Sequence, residues 1–79
     1  MSELDWSDLR YALAVGSTGG LAGAARQLGV NHTTVLRRLD ALEARLGARL
    51  FERLRGGYQP TEAGALVLEQ ARRMADQAE

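Results

Sequence analysis

Residues 21–46, LAGAARQLGVNHTTVLRRLDALEARL, carry the strongest indication of the fold in this sequence. The segment divides at Gly29-Val30-Asn31 into two runs rich in Leu, Ala and Arg, which are good helix formers. In the first run, apolar side chains recur at helical spacing and predict a helix over 21–28 that ends at Gly29. The predicted buried stripe of this helix consists of Leu21, Ala24, Ala25 and Leu28.

The second run predicts a longer helix over 32–46. Asn31 is a strong N-cap residue, and Gly47 is a strong terminator. An apolar stripe forms within about 40° of Val35 on a helical wheel. Its other members are Leu39, Leu42 and Leu46. Two helices joined by a short turn that contains glycine are typical of the helix-turn-helix motif.

The flanking segments predict the rest of a small, mainly helical fold. A helix over 6–17 begins after Asp5, a suitable N-cap residue, and residues 16–20 end it. Gly56-Gly57 separates two short extended segments, which predicts a β-hairpin. Thr61 is expected to cap a last helix that runs to near the end of the chain. The predicted apolar face of the first helix holds Trp6, Leu9, Leu13 and Gly16.

Composition supports this interpretation and excludes several classes of protein. The 79 residues include 13 Ala, 13 Leu and no Ile, which favours helix over strand and allows one small domain. With no Cys and one His, the chain lacks the residues for a thiolate or multi-histidine metal site, so we predict no metal or cofactor. No apolar run approaches the ~18–20 residues of a membrane span. Residues 1–5 are acidic and lack the apolar core of a signal sequence, so a cytoplasmic location is expected.

Charge is distributed unevenly along the chain. All ten basic residues are Arg, and the formal net charge is zero. Residues 20–57 hold seven Arg and three acids, a net charge of +4, whereas residues 1–19 and 58–79 each carry −2. The basic charge therefore gathers on the helix-turn-helix segment and the hairpin, which favours an anionic partner there.

The start of the helix over 32–46 carries side chains suited to DNA bases. Arg can donate to guanine O6 and N7, Asn can pair with adenine, and a Thr methyl group can contact a thymine methyl group. Helix-turn-helix proteins insert this end of their second helix into the major groove. An ordinary solvent-exposed amphipathic helix would show the same pattern, so this helix alone leaves both interpretations open. The candidate DNA contacts are Asn31, His32, Thr33, Thr34, Arg37 and Arg38.

The predicted hairpin is also basic. Arg49, Arg53 and Arg55 flank its Gly-Gly tip. A narrow cationic tip suits a phosphate backbone or a minor groove, although an Arg-rich surface hairpin is the simpler interpretation of this segment alone. Together with the helix-turn-helix pattern and the lack of a catalytic residue set, the hairpin favours DNA binding over enzymatic activity. Arg53 and Arg55 are its candidate DNA contacts.

Residues 21–35 and 42–53 resemble the winged helix-turn-helix of LysR-type transcriptional regulators. Residues 9–15 and 61–64 match the same pattern, so the resemblance covers nearly the whole chain without gaps. It implies a mainly α fold with a three-helix core, a short β-hairpin wing and a long C-terminal helix. The implied function is sequence-specific DNA binding by a bacterial transcription factor, without enzymatic activity.

The resemblance also implies that two segments of the chain have different functions. Residues 1–60 would form the winged helix-turn-helix, and residues 61–79 a linker helix that pairs with its counterpart in a homodimer. The implied partner is double-stranded DNA with a roughly palindromic operator, in the bacterial nucleoid. A longer C-terminal domain that senses a small-molecule effector is expected outside this chain, and no membrane association is expected.

Two positions depart from the pattern of the resembled family. Leu36 stands where the family commonly has Ser, and it could touch a thymine methyl group or pack aside. His32 stands where the family often has Gln, so its partner base stays open. These departures concern site preference and leave the DNA-binding function in place. Within the same helix, Glu43 is expected to pair with a nearby Arg.

The last helix carries a predicted dimerisation stripe. Spacings of four, three and four residues place the stripe on one face, and it extends beyond what one small core would cover. Leu66 is expected to face the core instead. The alternative function is a protein-interaction module that assembles through this helix without DNA, which a salt titration would separate from DNA binding. The stripe consists of Val67, Ala71, Met74 and Ala78.

Overall fold

The computed structural model describes residues 5–78, including every side chain except that of Ala78. Within this range the chain forms four helices and one two-stranded antiparallel sheet, which confirms the predicted fold class. In chain order the elements are α1 (Trp6–Thr18), α2 (Leu21–Leu28), α3 (His32–Leu46), β1 (Phe51–Leu54), β2 (Gly57–Pro60) and α4 (Glu62–Ala78).

Short-range capping sets the helix-turn-helix geometry. Gly29 adopts a left-handed conformation with φ of 73°, and its N–H donates to the Ala25 carbonyl at 2.8 Å. The Asn31 Oδ1 then accepts the Thr34 N–H at 3.0 Å and caps α3. These contacts end α2 and begin α3 at the predicted residues.

The core lies where α1, α2 and α3 meet the start of the hairpin and one face of α4. On α1, Leu9 is fully buried as predicted, but Trp6 and Leu13 are only partly buried. The centre of the buried α1 face has therefore shifted by part of a turn from the predicted stripe. The fully or nearly fully buried side chains include Ala12, Val15, Val35, Leu39, Leu42, Leu50 and Phe51.

The hairpin is docked onto the core and onto the α1–α2 turn. Its register pairs Phe51 with Pro60 and Leu54 with Gly57, so Pro60 lies at the end of β2. The Tyr58 N–H donates to the Gly19 carbonyl at 2.8 Å. At Gly57, φ is 144°, and an added Cβ would lie 2.5 Å from the Gly19 oxygen. Glycine at position 57 therefore permits this close docking.

Glu43 links α3 to the start of the hairpin. Its Oε2 accepts the N–H of Leu50 at 2.7 Å and that of Phe51 at 3.4 Å. The sequence predicted that Glu43 pairs with an Arg and did not predict these backbone contacts. The carboxylate satisfies two backbone donors at the point where the chain leaves the helical region and enters β1.

Helix α4 begins as predicted but is rotated relative to the prediction. The Thr61 hydroxyl accepts the Gly64 N–H at 3.0 Å and donates to the Arg49 carbonyl at 2.6 Å. Leu66 is 63% exposed, so its prediction as a core residue is wrong. Leu68 occupies the core instead, at 3% exposure, against the backbone of Gly16.

The predicted dimerisation stripe does not form a single exposed face. Ala71 is fully buried in the core of the chain itself, and Val67 is partly buried against that core. Met74 is 38% exposed. The side chain of Ala78, the last member of the stripe, lies outside the described residues. Ala71 faces inward because the close approach of α4 at Gly64 and Gly16 sets the rotation of the helix.

Candidate nucleic-acid interface

The exposed face of α3 is polar and basic, as the sequence predicted. Val35, Leu39 and Leu42 are buried on the inner face. His32, Thr33 and Arg37 are exposed on the outer face. Because the buried stripe fixes the rotation of α3, the first two turns of its outer face point away from the core and are accessible to a groove.

The beginning of α3 is held by a local hydrogen-bond network. The Asn31 Oδ1 accepts the hydroxyls of Thr33 at 2.7 Å and Thr34 at 2.9 Å, in addition to the Thr34 N–H. Asn31 is exposed, but its carbonyl oxygen is engaged in capping, so pairing of both amide groups with adenine would disrupt the cap. These three residues therefore shape the helix start, and His32 and Arg37 are the longer side chains that reach outward.

The adjacent residues Arg37 and Arg38 point in different directions. Arg37 is exposed on the outer face of α3. The Arg38 guanidinium lies 5.0 Å from the centre of the Tyr11 ring, and its Nη2 lies 3.7 Å from Asp8 Oδ1. Asp8 also accepts a hydrogen bond from Arg45 at 3.0 Å. The structure therefore places Arg38 against α1, apart from the other candidates.

Leu36 is partly buried beside the outer face of α3. It is therefore positioned at the edge of the candidate surface, consistent with either of the two roles considered for it. In the wing, Arg55 is exposed next to the Gly-Gly tip.

Arg53 makes two contacts that the sequence analysis missed. Its Nη2 donates to Asp40 Oδ1 at 2.7 Å, and its guanidinium lies 5.6 Å from the centre of the Tyr58 ring. Asp40 is seven residues after Thr33 and shares the exposed face of α3. An acid on an otherwise basic face was the available signal, but its partner lies in another element and could not be identified from spacing.

Within residues 5–78, no cluster of three or more His, Asp or Glu side chains is arranged to hold a metal ion. None of the helices in this range has the length and apolar character needed to span a membrane.

Comparison with known proteins finds similarity to one family of bacterial regulators. Residues 6–65 match the model of the bacterial regulatory helix-turn-helix proteins of the lysR family. Over 73 residues the chain is 44% identical to the HTH-type transcriptional regulator TfdS of Cupriavidus pinatubonensis, covering 92% of this chain and 25% of TfdS. The chain thus spans about a quarter of the length of this curated relative.

The similar solved structures include two complexes of isolated DNA-binding domains with DNA. The DNA-binding domain of CbnR in complex with DNA has a TM-score of 0.87 and 40% identity, covering 95% of this chain and 86% of that one. The DNA-binding domain of BenM, in complex with benA site 1 DNA, has a TM-score of 0.89 and 25% identity, covering 95% and 84%. The fold of this chain therefore occurs in domains crystallised on DNA.

Proposed function

The chain belongs to the lysR family of bacterial regulatory helix-turn-helix proteins, and we propose that it binds double-stranded DNA in a sequence-specific manner. The family is one of transcriptional regulators, in agreement with the non-enzymatic function predicted from the sequence. The observation that carries the proposal is the outer face of α3, where exposed polar and basic side chains stand opposite a fully buried apolar stripe.

In this proposal, the first two turns of α3 enter the major groove. Arg37 contacts a guanine, because a guanidinium can donate to both O6 and N7. His32 and Thr33 contact neighbouring base edges, and Leu36 lies against a thymine methyl group or the groove wall. Asn31 and Thr34 hold the helix start in the geometry that presents these side chains. Arg38 supports α3 from behind through Tyr11.

The wing lies on the sugar-phosphate backbone or in the adjacent minor groove. Arg55 at its tip supplies a cation there, and Arg53 supplies a second one close to α3 through the guanidinium nitrogens that do not contact Asp40. Such contacts contribute affinity with little sequence preference, because every base pair presents the same phosphates.

We further propose that residues 1–60 act as the DNA-binding unit and that residues 61–79, which contain α4, act as a dimerisation helix. The large exposed apolar side chains on α4 are Leu66 and Met74, and Val67, next to Leu66 in the sequence, is partly buried. At 100° per residue these three lie within about 100° of one another on the helix surface. Pairing two chains through this face would suit a roughly palindromic operator.

The regulator as a whole is proposed to be longer than this domain. TfdS, of which the chain covers 25%, is about four times as long. An effector-binding domain that follows α4 and responds to a small molecule is the arrangement expected for such a regulator, located in the bacterial cytoplasm with its DNA.

The proposal is tested by a matched pair of neighbouring arginines. Bound sites are first selected from random DNA, and affinities of the variants are then measured by fluorescence anisotropy for a selected and a scrambled duplex. Arg37→Ala should lose about 1–3 kcal/mol at the selected site and much less on the scrambled one. Arg38→Ala should chiefly lower folding stability, because its guanidinium packs on Tyr11.

Two results would contradict this assignment. Equal losses for Arg37→Ala on both duplexes would reduce Arg37 to a phosphate contact. Failure of the wild-type chain to bind any duplex, together with salt-independent self-association, would favour the protein-interaction alternative.

A further inference from the structure

We propose that Asp40 is a specificity-determining residue that holds Arg53 of the wing against α3 and weakens binding to non-cognate DNA. This inference rests on the DNA-binding function proposed above. Asp40 belongs to the proposed DNA-facing surface, although DNA phosphates repel its negative charge.

The geometry places an acid inside the proposed interface. Asp40 lies on the same exposed face of α3 as Thr33 and Arg37, and its side chain is 53% exposed. Its Oδ1 accepts a hydrogen bond of 2.7 Å from Arg53 Nη2, which is the ion pair that joins α3 to the hairpin in the described structure. The carboxylate thus occupies a position on Arg53 that a phosphate oxygen could otherwise take.

The contacts of Arg53 continue through the wing. The guanidinium lies 5.6 Å from the centre of the Tyr58 ring, on the strand opposite β1. The backbone N–H of Tyr58 donates to Gly19 in the α1–α2 turn at 2.8 Å. Asp40, Arg53 and Tyr58 therefore connect the outer face of α3 to the rest of the fold and set the wing at one distance from α3.

Two consequences for DNA binding follow. Non-specific binding depends almost entirely on phosphate attraction, so a fixed negative charge that also engages Arg53 weakens binding to random DNA. Specific binding requires α3 and the wing to engage one site together, and the same ion pair keeps them in register. Asp40 therefore lowers affinity for random DNA more than affinity for the cognate site.

The test compares four variants of the chain with wild type. These are Asp40→Asn, Arg53→Ala, the double variant Asp40→Asn/Arg53→Ala, and the control Glu52→Gln. The control removes one negative charge from the exposed surface of β1 while leaving the Asp40–Arg53 pair in place. Affinities for a random-sequence duplex and for a selected site are measured over a range of salt concentrations.

Asp40→Asn should bind the random duplex up to about eightfold more tightly at 0.1 M salt, as expected for one additional phosphate contact, with a salt slope steeper by up to about 0.9. The gain at the selected site should be smaller, so the ratio of the two affinities falls. Glu52→Gln should change both duplexes less. In the Arg53→Ala background, Asp40→Asn should lose most of its effect.

The inference is overturned if Asp40→Asn leaves the random-duplex affinity and salt slope unchanged. It is also overturned if the gain persists in the Arg53→Ala background or is matched by Glu52→Gln, because the effect would then be one of net charge alone. Wild-type binding to DNA in the same titrations separates these results from a failure of the proposed function, in which the wild-type chain binds neither duplex.

Discussion

At Gly64, the absence of a side chain allows α4 to lie directly on the backbone of the segment that enters the hairpin. An added Cβ would overlap the carbonyl oxygen of Leu50. That oxygen also accepts the Thr61 N–H at 2.9 Å, so it is not free to move away. This residue therefore decides how closely α4 approaches the core.

We predict that Gly64→Ala destabilises the fold. Replacing a helical glycine by alanine would gain up to about 1 kcal/mol from helix propensity alone. The overlap with a fixed backbone oxygen outweighs that gain, and a net loss of about 1–3 kcal/mol is expected in urea unfolding. Gly56→Ala is the control, because a Cβ at Gly56 meets no atom within 4 Å. An unchanged or raised unfolding free energy for Gly64→Ala would contradict the prediction.

We also predict that the Glu43 carboxylate stabilises the fold. Its carboxylate accepts two backbone N–H groups at the start of the hairpin, and the side chain is partly buried. Hydrogen bonds to a charged group contribute about 1.5–3 kcal/mol, so Glu43→Ala should lower the unfolding free energy by about 1–2 kcal/mol after the gain in helix propensity. Glu52→Ala, at an exposed strand position, should change it by less than about 0.5 kcal/mol. Equal effects of the two variants would show that the Glu43 cap contributes no stability.

The ends of α2 and α3 could be predicted from the sequence because the capping residues that set them act locally. Gly29, Asn31 and Gly47 each stop or start a helix through contacts within a few residues. The rotation of α4 could not be predicted, because Leu66, Val67 and Leu68 are consecutive and any of them could face inward. Leu68 faces inward because it packs against Gly16, which lies on α1 about 50 residues earlier. The spacing of apolar residues within α4 gives no information about this contact.

In the candidate site, too, local features could be predicted from the sequence, whereas contacts between elements could not. The exposure of Arg37 and the burial of Val35 followed from helical periodicity. The contacts of Arg38 with Tyr11, and of Arg53 with Asp40, join different elements. An arginine in a basic segment has the same local pattern whether it faces DNA or a neighbouring carboxylate, so only the packed structure distinguishes them.

We predict that removing the exposed cation at the tip of the wing lowers DNA affinity to a similar extent for all sequences. Arg55→Ala should weaken binding to many duplexes alike and flatten the dependence of log K on log salt by about 0.9. Arg10→Ala is the control, because Arg10 is exposed on α1 outside the proposed interface. A slope that stays at the wild-type value for Arg55→Ala would place the wing tip away from the backbone. A loss restricted to A·T-rich flanks would instead indicate insertion into the minor groove.

We predict that α4 mediates weak pairing of two chains. The exposed apolar surface is modest, so sedimentation should detect dimers mainly at high concentration or on a duplex with two half-sites. Met74→Glu should reduce this pairing, because it places a charge on the exposed apolar side of α4. Ala65→Glu adds the same charge at an exposed position on the other side of the helix and should have less effect. Identical occupancy of the two-site duplex by all three proteins would exclude α4 as the dimer contact.

The seating of Leu68 and Ala71 in the core has a mechanical consequence for the part of α4 beyond them. Residues 72–78 continue the same helix without interruption and add about 10 Å to its length. Since the buried side chains prevent α4 from turning about its own axis, a torque applied to residues 72–78 would rotate the three-helix core as a rigid body. The orientation of α3 is therefore coupled to twisting of α4 through α1, against which both helices pack.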